Sequence, residues 1–276
     1  MGTVLYFFVF GLGLCVGSFL NVCIYRLPRD ESIVKPARSY CPKCHATIRW
    51  YDNVPVLSYL VLKGRCRRCG WRIPARYVVV ELLAASLTAF TVVRFAEEGG
   101  WALTVVYVAL VNTLIAVTFI DLEHLIIPNE ISIPGMFLGI AVSALLPSLQ
   151  AGGIFCLGGR AGSLASSVLG AVAGGGIIYF VGVAGKLVLK KEAMGGGDVK
   201  LMAMVGAFIG WRLVLLSIFL GSLFGSIIGV MFLAMRKADM QTRIPFGPYL
   251  ALGSLVSLFY GNALFAWYTG LLCIAM

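Results

Sequence analysis

Two aspartates stand at the edges of apolar stretches, where an ionisable side chain is costly unless it has a partner or a task. Asp121 ends one such stretch and Asp198 begins another. Two carboxyl groups that share one proton can hydrolyse an amide, because one accepts a proton from water while the other polarises the carbonyl group. Neither His45 nor His124 lies beside a serine or cysteine in an activating pattern. The sequence therefore indicates a hydrolytic aspartate pair; the simpler alternatives are an interfacial acid at Asp121 and a helix N-cap at Asp198.

Three glycines directly precede Asp198. Glycine adopts positive φ without steric cost and lets a second backbone come close. We therefore expect Gly195 and Gly197 to admit an extended peptide to the Asp198 carboxylate. A helix that starts at Asp198 would direct its positive end at that carboxylate, whereas Asp121 would end a helix. The resulting hypothesis is that Asp198 is the ionised base and Asp121 carries the shared proton.

Four of the eight cysteines form two C-x-x-C pairs within one polar segment. A tetrahedral zinc ion takes four thiolates, and each pair supplies two of them from one tight turn. Disulfides and a thioredoxin-like motif are the alternatives; a reducing cytoplasm disfavours the first and the paired arrangement disfavours the second. Four thiolates leave no open position, so we expect a structural zinc ion. The predicted ligands are Cys41, Cys44, Cys66 and Cys69.

The other cysteines lie in or near apolar stretches, where a free cysteine packs as a small hydrophobic side chain. We expect His45, which follows the first cysteine pair, to be solvated and not to bind the metal. The remaining cysteines are Cys15, Cys23, Cys156 and Cys273.

The composition places the chain in a membrane. Hydrophobic residues make up 60% of the 276 residues and charged residues 12%, about half the charged share of a soluble domain. The mean hydropathy is +0.94. A soluble protein of this size cannot hide that much apolar surface, so the composition excludes a soluble enzyme, a disordered chain and a secreted disulfide scaffold.

A membrane-spanning helix needs roughly 20 mostly apolar residues. We expect an all-α integral membrane protein of about eight such helices, with a small zinc-ribbon-like loop between the first two. The sixth stretch is short and is expected to be a tilted or partly buried half-span. The predicted spans are 3–25, 77–95, 101–120, 131–149, 164–187, 199–210, 213–235 and 249–272.

The basic residues predict the orientation. Twelve of the 22 lysines and arginines lie between Arg26 and Arg76, which puts this loop in the cytoplasm and both termini outside. The net charge of +10 therefore reflects the orientation of the chain in the membrane, and we expect no nucleic-acid binding. Because no basic residue precedes the first span, it is expected to be retained and not cleaved as a signal. Seven more basic residues fall on the predicted cytoplasmic side: Lys186, Lys190, Lys191, Lys200, Arg236, Lys237 and Arg243.

Nearly the whole chain resembles the type IV prepilin peptidases, enzymes of bacterial inner membranes that cleave leader peptides and then N-methylate the product. The resemblance rests on residues 17–28 (GSFLNVCIYRLP), the four-cysteine loop, residues 121–129 (DLEHLIIPN), residues 195–198 (GGGD) and residues 245–250 (PFGPYL).

The resemblance implies that Asp121 and Asp198 form the protease dyad at the cytoplasmic membrane face. It implies type IV prepilins or pseudopilins as substrates, membrane lipid as the surroundings and S-adenosylmethionine as the methyl donor. It also implies a methyltransferase-associated portion at residues 1–76 and a membrane peptidase domain at residues 77–276.

Several assignments stay open. Glu123 is the preferred residue for recognising a basic leader, with a merely exposed charge as the alternative. Ser18 and Asn21 have either a role in methylation or a role in hydrogen bonding between helices. Glu81 either attracts the amine of the substrate or pairs with Arg76 across one helical turn. The alternative functions are a leader peptidase without methylation and, less favoured, a proton-coupled transporter, which would need its acids near the bilayer midplane.

Overall fold

The computed structural model of the chain describes residues 3–36, 38–97, 99–150, 159–189, 194–235 and 245–274. The predicted cytoplasmic charges at Lys190, Lys191, Arg236, Lys237 and Arg243 lie outside these residues, as do Cys156 and the side chain of Cys273. On the first helix Cys23 is buried, as predicted, whereas Cys15 is exposed.

The expectation of an all-α membrane protein is confirmed. Within the described ranges the long apolar stretches are all helical, because a helix satisfies its backbone hydrogen bonds internally where lipid offers none. Six helices are long and apolar enough to cross a membrane, and α5 is shorter. The helices are α1 (Thr3–Arg26), α2 (Leu57–Val61), α3 (Arg76–Phe95), α4 (Gly100–His124), α5 (Asn129–Leu145), α6 (Gly159–Leu189), α7 (Gly196–Ala234) and α8 (Gly247–Ile274).

The chain divides into two compact units, Met1–Ile120 and Asp121–Met276. The boundary falls inside α4, directly before Asp121. The first unit holds α1, α3 and the cysteine loop, and the second holds α5 to α8.

In the first unit α1 packs closely on α3. A Cβ on Gly17 would lie 2.6 Å from the Cα of Glu81, so only a glycine lets the two backbones approach this far. Gly13 makes a similar contact with Ala85. This packing brings the α1 side chains that follow Gly17 beside Glu81.

The helix α7 contains the predicted sixth and seventh spans. It is interrupted at Gly210, whose φ of 80° and ψ of 172° are not helical. A side chain at this position would overlap Gln150, so glycine is required by both its backbone angles and its surroundings. The break falls at the predicted boundary between the two spans.

Gln150 stabilises the break at Gly210. A helix end leaves backbone carbonyl groups without intrahelical donors. The Gln150 amide Nε2 donates to the carbonyl oxygens of Ala207 and Phe208, each at 3.1 Å, and the Ser167 hydroxyl donates to Ala207 at 2.7 Å. These donors come from the turn after α5 and from α6, so neighbouring elements supply what the interrupted helix lacks.

We predict that Gly206→Ala destabilises the second unit. The added Cβ would overlap the carbonyl group of Gly170, so α6 and α7 would have to separate. Overpacking of this kind costs about 1–3 kcal/mol. Thermal unfolding in detergent should show a lower midpoint for this variant. Gly176→Ala is the matched control, because nothing lies within 4 Å of its Cβ position; equal midpoints for the two variants would contradict the prediction.

Candidate active site and metal centre

The four predicted zinc ligands converge in the first unit. The sulfur atoms of Cys41, Cys44, Cys66 and Cys69 all lie within 4.8 Å of one another. The Cys41 and Cys69 sulfur atoms, which come from different pairs, are 3.8 Å apart. A tetrahedron with zinc–sulfur bonds of about 2.3 Å has edges of about 3.8 Å. The donor set and its spacing therefore fit a zinc ion.

The two cysteine pairs form equivalent turns. The backbone N–H of Cys41 donates to Ala46 and that of Cys66 to Trp71, which closes each turn in the same way. The residue after each pair takes a left-handed conformation, with φ of 52° at His45 and 67° at Gly70. His45 is exposed and outside the sulfur cluster, in keeping with its expected solvated position.

Backbone donors prepare the thiol of Cys66 for metal binding. The backbone N–H groups of Cys69 and Arg68 lower the pKa of Cys66 to about 7. A thiolate is the form that binds a metal, so a fraction of this group is already in the binding form near neutral pH.

Arg26 and Arg67 organise the loop around the cluster. Arg26 is only 4% exposed, and its guanidinium donates to the carbonyl oxygens of Ser32, Ile33 and Pro36 at 3.0–3.2 Å. Arg67 binds Asp52 through two nitrogens, and this guanidinium lowers the pKa of the Asp52 carboxyl. The sequence indicated only a role in membrane topology for Arg26. Its hydrogen-bond acceptors are backbone carbonyl groups, which every residue has, so no residue type in the sequence marks these contacts.

The two aspartates lie in the second unit. Asp121 is in the last turns of α4 and Asp198 is in the first turn of α7. They are 6% and 8% exposed, and the two carboxyl groups are close enough to interact electrostatically. Asp198 lies inside the helix that begins at Gly196, so it does not occupy the N-cap position that the sequence left open.

Glycine backbones lie beside both carboxylates. The N–H group of Gly247, at the start of α8, donates to Oδ2 of Asp121 at 3.0 Å. A Cβ on Gly195 would lie 3.5 Å from Oδ2 of Asp198, and the backbone N–H of Asp198 donates to the carbonyl oxygen of Gly195 at 3.1 Å. The Asp121 carboxylate therefore has a fixed orientation.

Ile127 connects the surroundings of the two aspartates. A Cβ on Gly197 would lie 2.9 Å from Cβ of Ile127, and a Cβ on Gly247 would lie 3.3 Å from its Cδ1. The residue before Asp198 and the residue that binds Asp121 thus pack on the same isoleucine.

The glycines before Asp198 do not use the positive φ that their residue type permits. None of Gly195, Gly196 and Gly197 has a positive φ. The absence of a side chain at Gly197 allows its close contact with Ile127. Nothing lies within 4 Å of the Cβ position of Gly196. Gly195 is exposed and binds Asp198 through its backbone. Access of a peptide substrate at Gly195 and Gly197 stays a prediction.

The sequence reasoning missed Gly247 as a site residue. The stretch at 245–250 contributed to the resemblance, but its glycine has no side chain that suggests chemistry. The signal would have been a glycine at a helix start, where free backbone N–H groups can bind an anion.

Two family models match the chain. The Bacterial Peptidase A24 N-terminal domain matches residues 11–95, and the Type IV leader peptidase family matches residues 108–230. These ranges include the cysteine loop and the two aspartates respectively. No solved structure was found to match the chain.

Curated relatives extend the match to almost the full length. A prepilin leader peptidase/N-methyltransferase of Aeromonas hydrophila is 37% identical over 96% of this chain and 94% of its own. A relative with the same name in Myxococcus xanthus is 42% identical, and the match covers 85% of this chain and 65% of the relative. Another in Pseudomonas aeruginosa is 36% identical, and the match covers 91% of this chain and 89% of the relative. The chain belongs to the type IV leader peptidase family.

We predict that the purified protein holds one zinc ion per chain. Cys44→Ser or Cys69→Ser removes one of the four sulfur ligands, so the zinc content measured by mass spectrometry should fall to near zero. His45→Asn is the control, because asparagine tolerates the left-handed backbone at this position and the metal should remain bound. A full complement of zinc in both cysteine variants would disprove the ligand assignment.

Proposed function

We propose that the protein cleaves the leaders of type IV prepilins and pseudopilins with Asp121 and Asp198 and then N-methylates the new terminus. The observation that carries the peptidase proposal is the pair of buried, interacting carboxylates, of which Asp121 accepts the backbone N–H of Gly247. The family match and the names of the relatives support the substrates and the methylation.

The arrangement suits amide hydrolysis by a water molecule. One carboxylate accepts a proton from water as the water oxygen bonds to the peptide carbonyl carbon, and the other carboxyl group polarises the carbonyl oxygen. The C–N bond then breaks and the leaving nitrogen takes a proton from the pair. Because Gly247 holds Oδ2 of Asp121, the oxygen Oδ1 is free to face the water or the partner carboxyl.

The assignment of Asp198 as the base and Asp121 as the proton carrier stays a prediction. The positive end of α7 favours the charged form of Asp198. The Gly247 N–H group does the same for Asp121, so the preference of the pair depends on the difference between these effects. A coupled pair titrates as one system.

The substrate chemistry suggests where the site lies. A prepilin presents a basic leader followed by an apolar helix, so its scissile bond would sit at the membrane surface. The basic loop between Arg26 and Arg76 supports a cytoplasmic location in the bacterial inner membrane, with both termini outside. Glu123 is exposed near Asp121 on α4 and stays the candidate for binding the basic leader.

The first unit suits the methylating step. A zinc ion bound by the four cysteines would hold a loop that has little core of its own. S-adenosylmethionine supplies an activated methyl group when bound. Metal removal is expected to impair methylation before cleavage. A peptidase without methylation is not favoured, because the N-terminal family model matches and the relatives are named as methyltransferases.

Asp121→Asn and Asp198→Asn are each expected to abolish leader cleavage. Each substitution removes one of the two groups that exchange protons, while its shape is preserved. Methylation of a pilin supplied already cleaved should persist, which shows that the variants are folded. Glu130→Gln, on an exposed side chain at the start of α5, is the charge control. Normal cleavage by both aspartate variants would end the dyad assignment.

Gly247→Ala is expected to slow cleavage about 100-fold, since displacing a catalytic group by about 1 Å can have that effect. The added Cβ would lie 2.6 Å from Oδ2 of Asp121 and would push the carboxylate out of place. Gly229→Ala is the control, because nothing lies within 4 Å of its Cβ position. Equal cleavage rates for the two variants would contradict a positioning role for Gly247.

A further inference from the structure

A cavity of about 270 Å³ lies within the first unit, lined by the C-terminal part of α1, the start of α3 and the cysteine loop. Its volume is close to the lower bound of roughly 300 Å³ for small-molecule sites. Asp121 and Asp198 are not among its lining residues. The peptidase chemistry therefore leaves this cavity without a role.

The wall of the cavity combines aromatic rings and a buried carboxylate with Asp52 and four arginines, Arg26, Arg49, Arg67 and Arg68. Such a wall suits a ligand that has a flat ring system and carries both a positive and a negative group, because planar groups stack on aromatic rings, guanidinium groups bind carboxylates, and a carboxylate binds an ammonium group. The carboxylate belongs to Glu81. The aromatic lining residues are Tyr25, Tyr40, Tyr59, Trp71 and Tyr77.

Glu81 is held at this wall by a backbone hydrogen bond. It is 7% exposed, and its Oε2 accepts the backbone N–H of Val56 at 2.8 Å. This donor is neutral, whereas the sequence left pairing with Arg76 open. A cationic ligand would therefore give the buried carboxylate a charged partner.

Asn21 leaves an acceptor unused at the same wall. The residue is 2% exposed, and its Nδ2 donates to the carbonyl oxygens of Gly17 and Tyr77 at 3.3 and 3.0 Å. Its Oδ1 is buried and has no hydrogen-bond partner within the described part of the chain. Buried polar atoms in native proteins are nearly always paired, so this oxygen points to a missing donor.

We propose that this cavity binds S-adenosylmethionine and that the Glu81 carboxylate pairs with the ammonium group of its methionine part. The proposal rests on the methylating function proposed above. In the transfer the neutral amine nitrogen of the substrate bonds to the methyl carbon as the C–S bond breaks, the electron pair stays on sulfur, and the nitrogen then loses a proton.

The ammonium group is the better partner for Glu81 than the sulfonium. The sulfonium loses its charge during the transfer, so a carboxylate beside it would bind the reactant more tightly than the transition state. The ammonium charge does not change during the transfer. A carboxylate paired with it therefore binds the reactant and the transition state equally well.

The test measures ligand binding by calorimetry on the full chain in detergent, with no turnover. S-adenosylhomocysteine keeps the ammonium group, whereas 5′-methylthioadenosine has the same nucleoside without it. Glu81→Gln should weaken the first ligand about tenfold or more and leave the second nearly unchanged. Glu130→Gln is the control and should bind both ligands as the wild type does. Leader cleavage by the Glu81→Gln protein reports that it is folded.

Two results would overturn the cavity assignment. One is unchanged binding of S-adenosylhomocysteine in Glu81→Gln while the wild type methylates normally. The other is an equal weakening of both ligands. If the wild type neither methylates nor binds S-adenosylhomocysteine, the proposed methylation itself fails.

A second measurement does not depend on the folding of a variant. Ultraviolet cross-linking of labelled S-adenosylmethionine to the wild-type protein, followed by peptide mapping, should mark peptides within residues 18–81. A label confined to residues 121–276 would reject the cavity.

Discussion

Hydrocarbon cannot hydrogen-bond to the backbone, and this constraint governs the structure. It makes the apolar stretches helical, and it requires a substitute donor wherever a helix stops or a carboxylate is buried. At the break in α7 the substitute is the Gln150 side chain. At Asp121 the donor is the backbone N–H group of Gly247. The same few kinds of contact therefore stabilise the fold and orient the candidate catalytic groups.

Residue types and spacing were sufficient to predict the fold class and the cysteine cluster. Cys41 and its three partners form a cluster because each C-x-x-C turn is a local structure. The sequence placed Asp121 at the end of one apolar stretch and Asp198 at the start of another, and the resemblance implied that the two meet at one membrane face. Their spacing along the chain carried no further information.

The sequence could not predict contacts that depend on backbone atoms or on a missing side chain. Gly247 binds Asp121 through its N–H group across 126 positions, and no residue pattern records such a contact. Gly197 was predicted to admit a peptide substrate, and its close packing on Ile127 was not foreseen. The division of α7 into two spans depends on Gly210, where the helix is interrupted. The side chain of Gln150, from the turn after α5, donates to the backbone beside this break.

The break in α7 also bears on how the chain is assembled during synthesis. At 1.5 Å per residue the 39 residues of α7 would measure about 58 Å, almost twice the ~30 Å hydrocarbon thickness. A newly made α7 thus cannot settle as one straight rod. Domains generally form from the N-terminus onward as the ribosome works. Gln150 precedes Gly210 in the chain, so the residue that stabilises the break is synthesised before the segment that it contacts.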